Sequence, residues 1–139
     1  MARYGLLVCA LLAAFPAVLL IGACTPLTVA PHWPGLRVAL VMLVAAPVLE
    51  EIVFRAGVQD GLVRWVSDRP VAGLSRANLL TAVVFALLHL WRHPPLWALA
   101  TAMPSLIFGF FYERHRHLAA PIGLHSVYNA TYLLLLKAP

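Results

Sequence analysis

Apolar residues in this chain do not alternate with polar ones; they run on in five long stretches, and the polar residues collect between them. A helix that crosses a bilayer needs about 20 consecutive, mainly apolar residues. That length predicts helices over roughly 4–24, 38–59, 74–92, 96–113 and 118–137. Pro26, Pro31 and Pro34 mark the first intervening loop. The second holds Arg64, Asp68, Arg69, Pro70 and Arg76, the third Arg92, His93, Pro94 and Pro95, and the fourth is the run Arg114-His115-Arg116-His117. Connections this short leave no room for a soluble domain. The pattern therefore predicts an all-α integral membrane bundle of about five transmembrane helices, a single membrane domain over 1–139, in which any activity is built from the helices themselves.

Composition strengthens that reading. The chain is 63% hydrophobic and 11% charged, against about 25% charged in soluble domains. Its net charge of +5 would permit a nucleic-acid partner only if the basic residues shared one solvated face. Here they punctuate apolar runs, as chain meeting lipid headgroups does, so nucleic acid is excluded as a partner. Counting Lys and Arg on alternate sides puts Arg3, Arg64, Arg69, Arg76, Arg114 and Arg116 with the N-terminus and Arg37, Arg92 and Lys137 opposite. The excess predicts a cytoplasmic N-terminus. Trp33, Trp65, Trp91 and Trp97 fall near segment ends, as in an interfacial aromatic belt.

Cys9 and Cys24 both lie in the first apolar run and form no metal or redox motif. Leu20 to Cys24 loosely resembles the end of a lipoprotein signal, with Arg3 as its basic region. The apolar run from Gly5 is longer than the roughly 7–15 residues of a signal core, so a retained helix is expected.

Acidic residues inside a spanning segment cost several kcal/mol to bury, which makes function their default explanation. Glu50 and Glu51 are adjacent in the second segment. Glu51 and Arg55 are four apart with the acid first, the favourable ion-pair spacing. Glu50 is turned by about 100° from that pair and is the carboxylate available for chemistry. Pro47, just ahead, is expected to kink the helix and turn backbone polar groups toward a cavity.

Two further pairs have the same spacing: Phe85 with His89, and His125 with Asn129. Each can face one point of the bundle. Glu50 and His89 could take a proton from water, while His125 and Asn129 could donate hydrogen bonds to an oxyanion. Taken singly, each has a plainer explanation. His89 reads as a packing histidine, His125 with Asn129 as interhelical hydrogen bonding, and Glu51 with Arg55 as a neutralised structural pair. Co-occurrence on three helices shifts the balance toward a site. His32, His93, His115 and His117 fall in loops and are expected to be solvated or at headgroups.

Glu50, Glu51, His89 and His125 could also supply metal ligands, but no H-E-x-x-H is present, and the metal alternative is the less favoured one. Ser126 is one residue past His125 and off its face, so no Ser–His or Cys–His arrangement suggests a covalent nucleophile. No cofactor is expected. Gly57 and Gly61 form a GxxxG, read as close helix packing within the protein.

In order along the chain, Glu50-Glu51-Ile52-Val53-Phe54-Arg55, Phe85-Ala86-Leu87-Leu88-His89 and His125-Ser126-Val127-Tyr128-Asn129 resemble the motifs EExxxR, FxxxH and HxxxN/D. These mark the CPBP family, the CAAX-protease and bacteriocin-processing (Abi-like) intramembrane endopeptidases of glutamic type. The resemblance covers 38–137 and leaves out the first helix. It implies that Glu50 activates water with help from His89, that His125 and Asn129 stabilise the oxyanion, and that Glu51, Arg55 and Phe85 shape the site, with no metal. It further implies a membrane-anchored protein or peptide substrate and a place in the bacterial cytoplasmic membrane. Compact bacterial members linked to C-terminal sorting tails are the nearest in kind, since the chain has fewer predicted spans than the better-known members. Two rivals remain: a membrane binding or immunity protein that holds a peptide without cutting it, and a proton or ion pathway.

Overall fold

A computed structural model describes residues 2–23, 28–66 and 73–137. Cys24, Pro26, Asp68, Arg69 and Pro70 lie outside the described residues. Among the described residues the fold is helical apart from one very short antiparallel ladder. Helix α1 is Ala2–Ala23, and β1 is Thr28–Val29. Helix α2 covers 36–63, α3 is Arg76–His89, α4 is Pro95–His115, α5 is Ala119–Leu135, and β2 is Leu136–Lys137. Each lies within a few residues of a predicted segment. Among the described residues, α4 is long and apolar enough to cross a membrane by length and composition, while Gly5–Leu19 and Arg76–His89 are shorter apolar helices.

Local chemistry explains the boundaries. Gly35 and Gly73 have φ of 89° and 82°, a region open to glycine at little cost, and they precede α2 and α3. The Ser75 hydroxyl caps α3 by accepting the Asn78 N–H at 2.9 Å. Pro95 occupies the first turn of α4, where a missing N–H costs nothing. At its other end, Arg116 takes a left-handed conformation, φ 56°, and returns its N–H to Tyr112 O at 2.7 Å.

Helix α2 is not uniformly α-helical. It widens to a π-turn over Val41–Ala45, returns to α over Ala46–Glu51, and widens again over Ile52–Gln59. The first widening sits where the Pro47 ring would clash with the preceding turn. The kink expected at this proline thus takes the form of a change in pitch.

The chain forms two compact units, residues 1–47 with 123–139, and residues 48–122. In the first, Ala10, Ala14 and Val18 make a buried stripe on α1, and the Tyr128 hydroxyl donates to Ala10 O at 3.0 Å. Strand β1 pairs with β2 in the register Thr28 to Lys137, and Ala30 and His32 continue the pairing through their N–H groups to Leu135 and Leu134.

The second unit is built from the later part of α2 with α3, α4 and the start of α5. On α3 the buried positions are Ala77, Asn78, Thr81, Ala82, Phe85 and Ala86, while Leu80, Val83 and Leu87 are exposed. Small and polar side chains face inward and large aliphatic ones outward. In water this distribution would be unfavourable; with lipid as the solvent it is the expected one.

Candidate active site

Glu51, Arg55 and Gln59 recur every four residues on α2 and are completely buried. Opposite them on α4, Ser105, Gly109 and Glu113 recur at the same interval. Arg55 Nε donates to Glu51 Oε2 at 2.7 Å, one terminal nitrogen donates to Gln59 Oε1 at 3.0 Å, and the other donates to Ser105 Oγ at 3.0 Å. The Gln59 amide donates to Gly109 O at 3.3 Å and to Glu113 Oε1 at 2.7 Å. Residues 55 and 59 meet 105 and 109 respectively, so α2 and α4 run parallel. The planar guanidinium fork spreads over three partners, and the expected Glu51–Arg55 pair is present as part of a longer network.

Helix α3 closes this network from the other direction. Ser75 donates its hydroxyl to Glu113, and three residues on, Asn78 Nδ2 donates to Leu106 O at 3.0 Å. As the chain rises along α3 its contacts fall along α4, so these two helices are antiparallel, and α3 is antiparallel to α2 as well. Gly109 is what lets the three helices meet. A Cβ there would lie 2.0 Å from Asn78 Oδ1 and 2.8 Å from Gln59 Oε1. The Asn78 oxygen is buried with no conventional donor and rests against this glycine.

The antiparallel register places two of the expected site residues. Phe54 of α2 and Phe85 of α3 meet edge to face, with centroids 4.8 Å apart and planes at 69°. About one turn back along α2 is Glu50, and one turn onward along α3 is His89. Those directions coincide in antiparallel helices, so Glu50 and His89 stand at one level. Glu50 is half-buried. The His89 ring packs on Phe85 at 4.4 Å, and its Nδ1 lies 2.8 Å from Phe85 O. A carbonyl only accepts, so Nδ1 is the donor and the neutral ring presents Nε2 as an acceptor.

Sequence reasoning missed the surroundings of His89. His93 was expected to be solvated and Trp97 to lie in an interfacial belt. Both are half-buried, and their rings stack at 3.8 Å, with Trp97 5.7 Å and His93 6.0 Å from the His89 ring. Histidine and indole share an amphipathic ring that can close one end of the site. Burial, then the nearby His89 and Arg92, hold the His93 pKa below its ordinary value. The available signal was the four-residue interval from His89 to His93. Trp33, Trp65 and Trp91 are exposed.

His125 and Asn129 belong to the other unit. His125 is buried, and Asn129 Nδ2 donates to Met42 O at 2.8 Å, a bond between α5 and α2. Thus Glu50 and His89 lie at one level in the unit of residues 48–122, while His125 and Asn129 belong to the unit of residues 1–47 with 123–139. The GxxxG expectation is corrected: Gly61 has nothing within 4 Å of an added Cβ, and Gly57 meets only a backbone oxygen of its own helix at 3.8 Å. Among the described residues, no group of three or more His, Cys, Asp or Glu is placed to hold a metal ion.

A family model described as type II CAAX prenyl endopeptidase Rce1-like matches residues 31–131, a stretch that includes all three motifs. No curated protein and no solved structure matches the sequence.

Proposed function

The chain belongs to the Rce1-like family of type II CAAX prenyl endopeptidases, and from that premise we propose that it cuts a membrane-associated protein or peptide with water activated by Glu50 and His89. The family is a membrane protease family. In the proposed arrangement the five helices all span the bilayer, with the N-terminus on the cytoplasmic side. The parallel course of α2 and α4, with α3 opposed, suits such alternating passage. The one-end placement of Arg64, Arg76, Arg114 and Arg116 suits the orientation.

In the proposed reaction, Glu50 takes a proton from water as the oxygen attacks the scissile carbonyl, with His89 Nε2 accepting a hydrogen bond that orients the nucleophile. His125 and an N–H of Asn129 stabilise the oxyanion. The carbon–nitrogen bond then breaks as Glu50 returns its proton to the leaving amine. A peptide in helical form hides its carbonyls, so the substrate has to unwind at the site. Glu51 and Arg55 neutralise one another and shape the helix that carries Glu50, and no metal is required.

The observation that supports this most is the Phe54–Phe85 contact, because it levels the carboxylate with the imidazole. The test is cleavage of membrane-anchored reporter peptides by the purified protein in lipid, with and without chelator. Cleavage by wild type, insensitive to chelator and absent in Glu50→Gln, upholds the reading. Peptide binding without cleavage by the folded wild type favours a binding protein instead.

A further inference from the structure

Helix α2 changes hydrogen-bonding pitch just ahead of the glutamates. The Val41 N–H still reaches back to Arg37 O and Val38 O. At Ala46 the N–H bonds Val41 O, five residues back. Continued one step, that pattern would have the N–H of residue 47 serve Met42 O. Residue 47 is proline and has no N–H. A backbone carbonyl deprived of its donor away from water costs about as much as a lost hydrogen bond, and lipid offers no substitute. The substitute is a side chain: Asn129 Nδ2 stands 2.8 Å from this same carbonyl.

We propose that Asn129 is a positioning residue that replaces the N–H missing at Pro47. By holding Met42 O it fixes the widened turn from which Ala46–Glu51, and with it Glu50, continues. The proline makes the turn and the asparagine makes it tolerable. A primary amide has two N–H groups, so this bond uses one of them. An ionised carboxylate at 129 would have none to give. The kinetic consequence rests on the proposed protease activity, whereas the coupling between Pro47 and Asn129 does not.

The test compares the full chain in lipid as wild type, Asn129→Ala, Pro47→Ala and the double variant, by reporter cleavage and by thermal unfolding. With Pro47 present, Asn129→Ala is expected to lower kcat about tenfold beyond the loss of its oxyanion contact, with KM little changed, the scale of one unsatisfied hydrogen bond, and to lower the unfolding midpoint by a few degrees. In the Pro47→Ala background the new N–H serves Met42 O, so the same substitution costs about tenfold less in kcat than with Pro47 present, the loss of the oxyanion contact being common to both backgrounds, and its midpoint shift at least halves. Asn129→Asp keeps the shape and repeats the pattern should the alanine variant fold poorly. Equal losses in both backgrounds overturn the proposal and assign Asn129 a role independent of Met42. If wild type cuts nothing, the protease reading falls, and the midpoint coupling still decides this inference.

Discussion

Phe54 and Phe85 meet edge to face at 4.8 Å, and this contact sets the level of Glu50 against His89. Helix α2 descends where α3 rises, so one turn from the ring pair in the same spatial direction lies the carboxylate on one helix and the imidazole on the other. The His89 ring is further fixed by its bond to Phe85 O at 2.8 Å. A general base contributes about 10²–10⁴-fold to such a reaction. Glu50→Gln keeps the shape of the side chain and is expected to lower reporter cleavage by that factor without lowering the unfolding midpoint. Phe85→Leu, which loses the ring beneath His89, is expected to lower kcat less than Glu50→Gln does. An equal or larger loss would count against the positioning role of this contact.

Arg55 tests the buried ladder. Its guanidinium joins Glu51, Gln59 and Ser105 in complete burial. Removing one partner of a buried pair leaves the other charge uncompensated, at a cost of about 3–5 kcal/mol. Arg55→Met is expected to lose that much stability by denaturant or thermal unfolding in lipid. Replacing Glu51 with Gln at the same time recovers a large share, because no buried carboxylate then remains. A double variant no better than Arg55→Met would show that the charge pair is not what the ladder depends on.

The reach of the sequence follows the distance over which each feature is encoded. Apolar run length alone located five helices to within a few residues. Glu51 with Arg55 was legible because both partners sit on one helix, four residues apart. Gln59 continues that interval, but its partners Gly109 and Glu113 are 50 and 54 residues away, and no local pattern points to them. Pro47 announced a disturbance in α2 without specifying a π-turn. Gly57 and Gly61 show the converse failure: a motif gives an interval but not which face it presents, and this one faces no neighbour. His93 was read as solvated or at headgroups for lying in a loop, and its stack on Trp97 was not legible there.

Gly109 separates a glycine that packing requires from one that it does not. A methyl group at 109 meets Asn78 Oδ1 at 2.0 Å, and Asn78 is pinned by Leu106 O. Gly109→Ala is expected to cost about 1–3 kcal/mol, the usual range for overpacking. Adding Asn78→Ser should recover part of this by shortening the obstructing side chain. Gly61→Ala meets nothing within 4 Å and is expected to be neutral or to stabilise by up to about 1 kcal/mol through helix propensity. Unfolding midpoints of the three variants check the contrast, and a Gly109→Ala protein as stable as wild type would sink it.

His93 gives the fold a pH dependence whose sign can be derived. Its pKa lies below the ordinary 6.5 because burial, and then the neighbouring His89 and Arg92, disfavour the charged ring. In the unfolded chain the ring protonates near the ordinary value. Between the lowered folded-state value and 6.5, the unfolded chain therefore holds more protons, and stability rises with pH through that window. Above 6.5 both states are neutral at this residue and its contribution is level; below the folded-state value both are protonated and the penalty is complete. The stack on Trp97 at 3.8 Å is the contact that protonation would strain by drawing water to the ring. His93→Asn removes the titration, so unfolding midpoints measured from acid to neutral pH should rise less steeply in the variant than in wild type. Identical slopes would mean that the acid sensitivity of the fold resides in other groups.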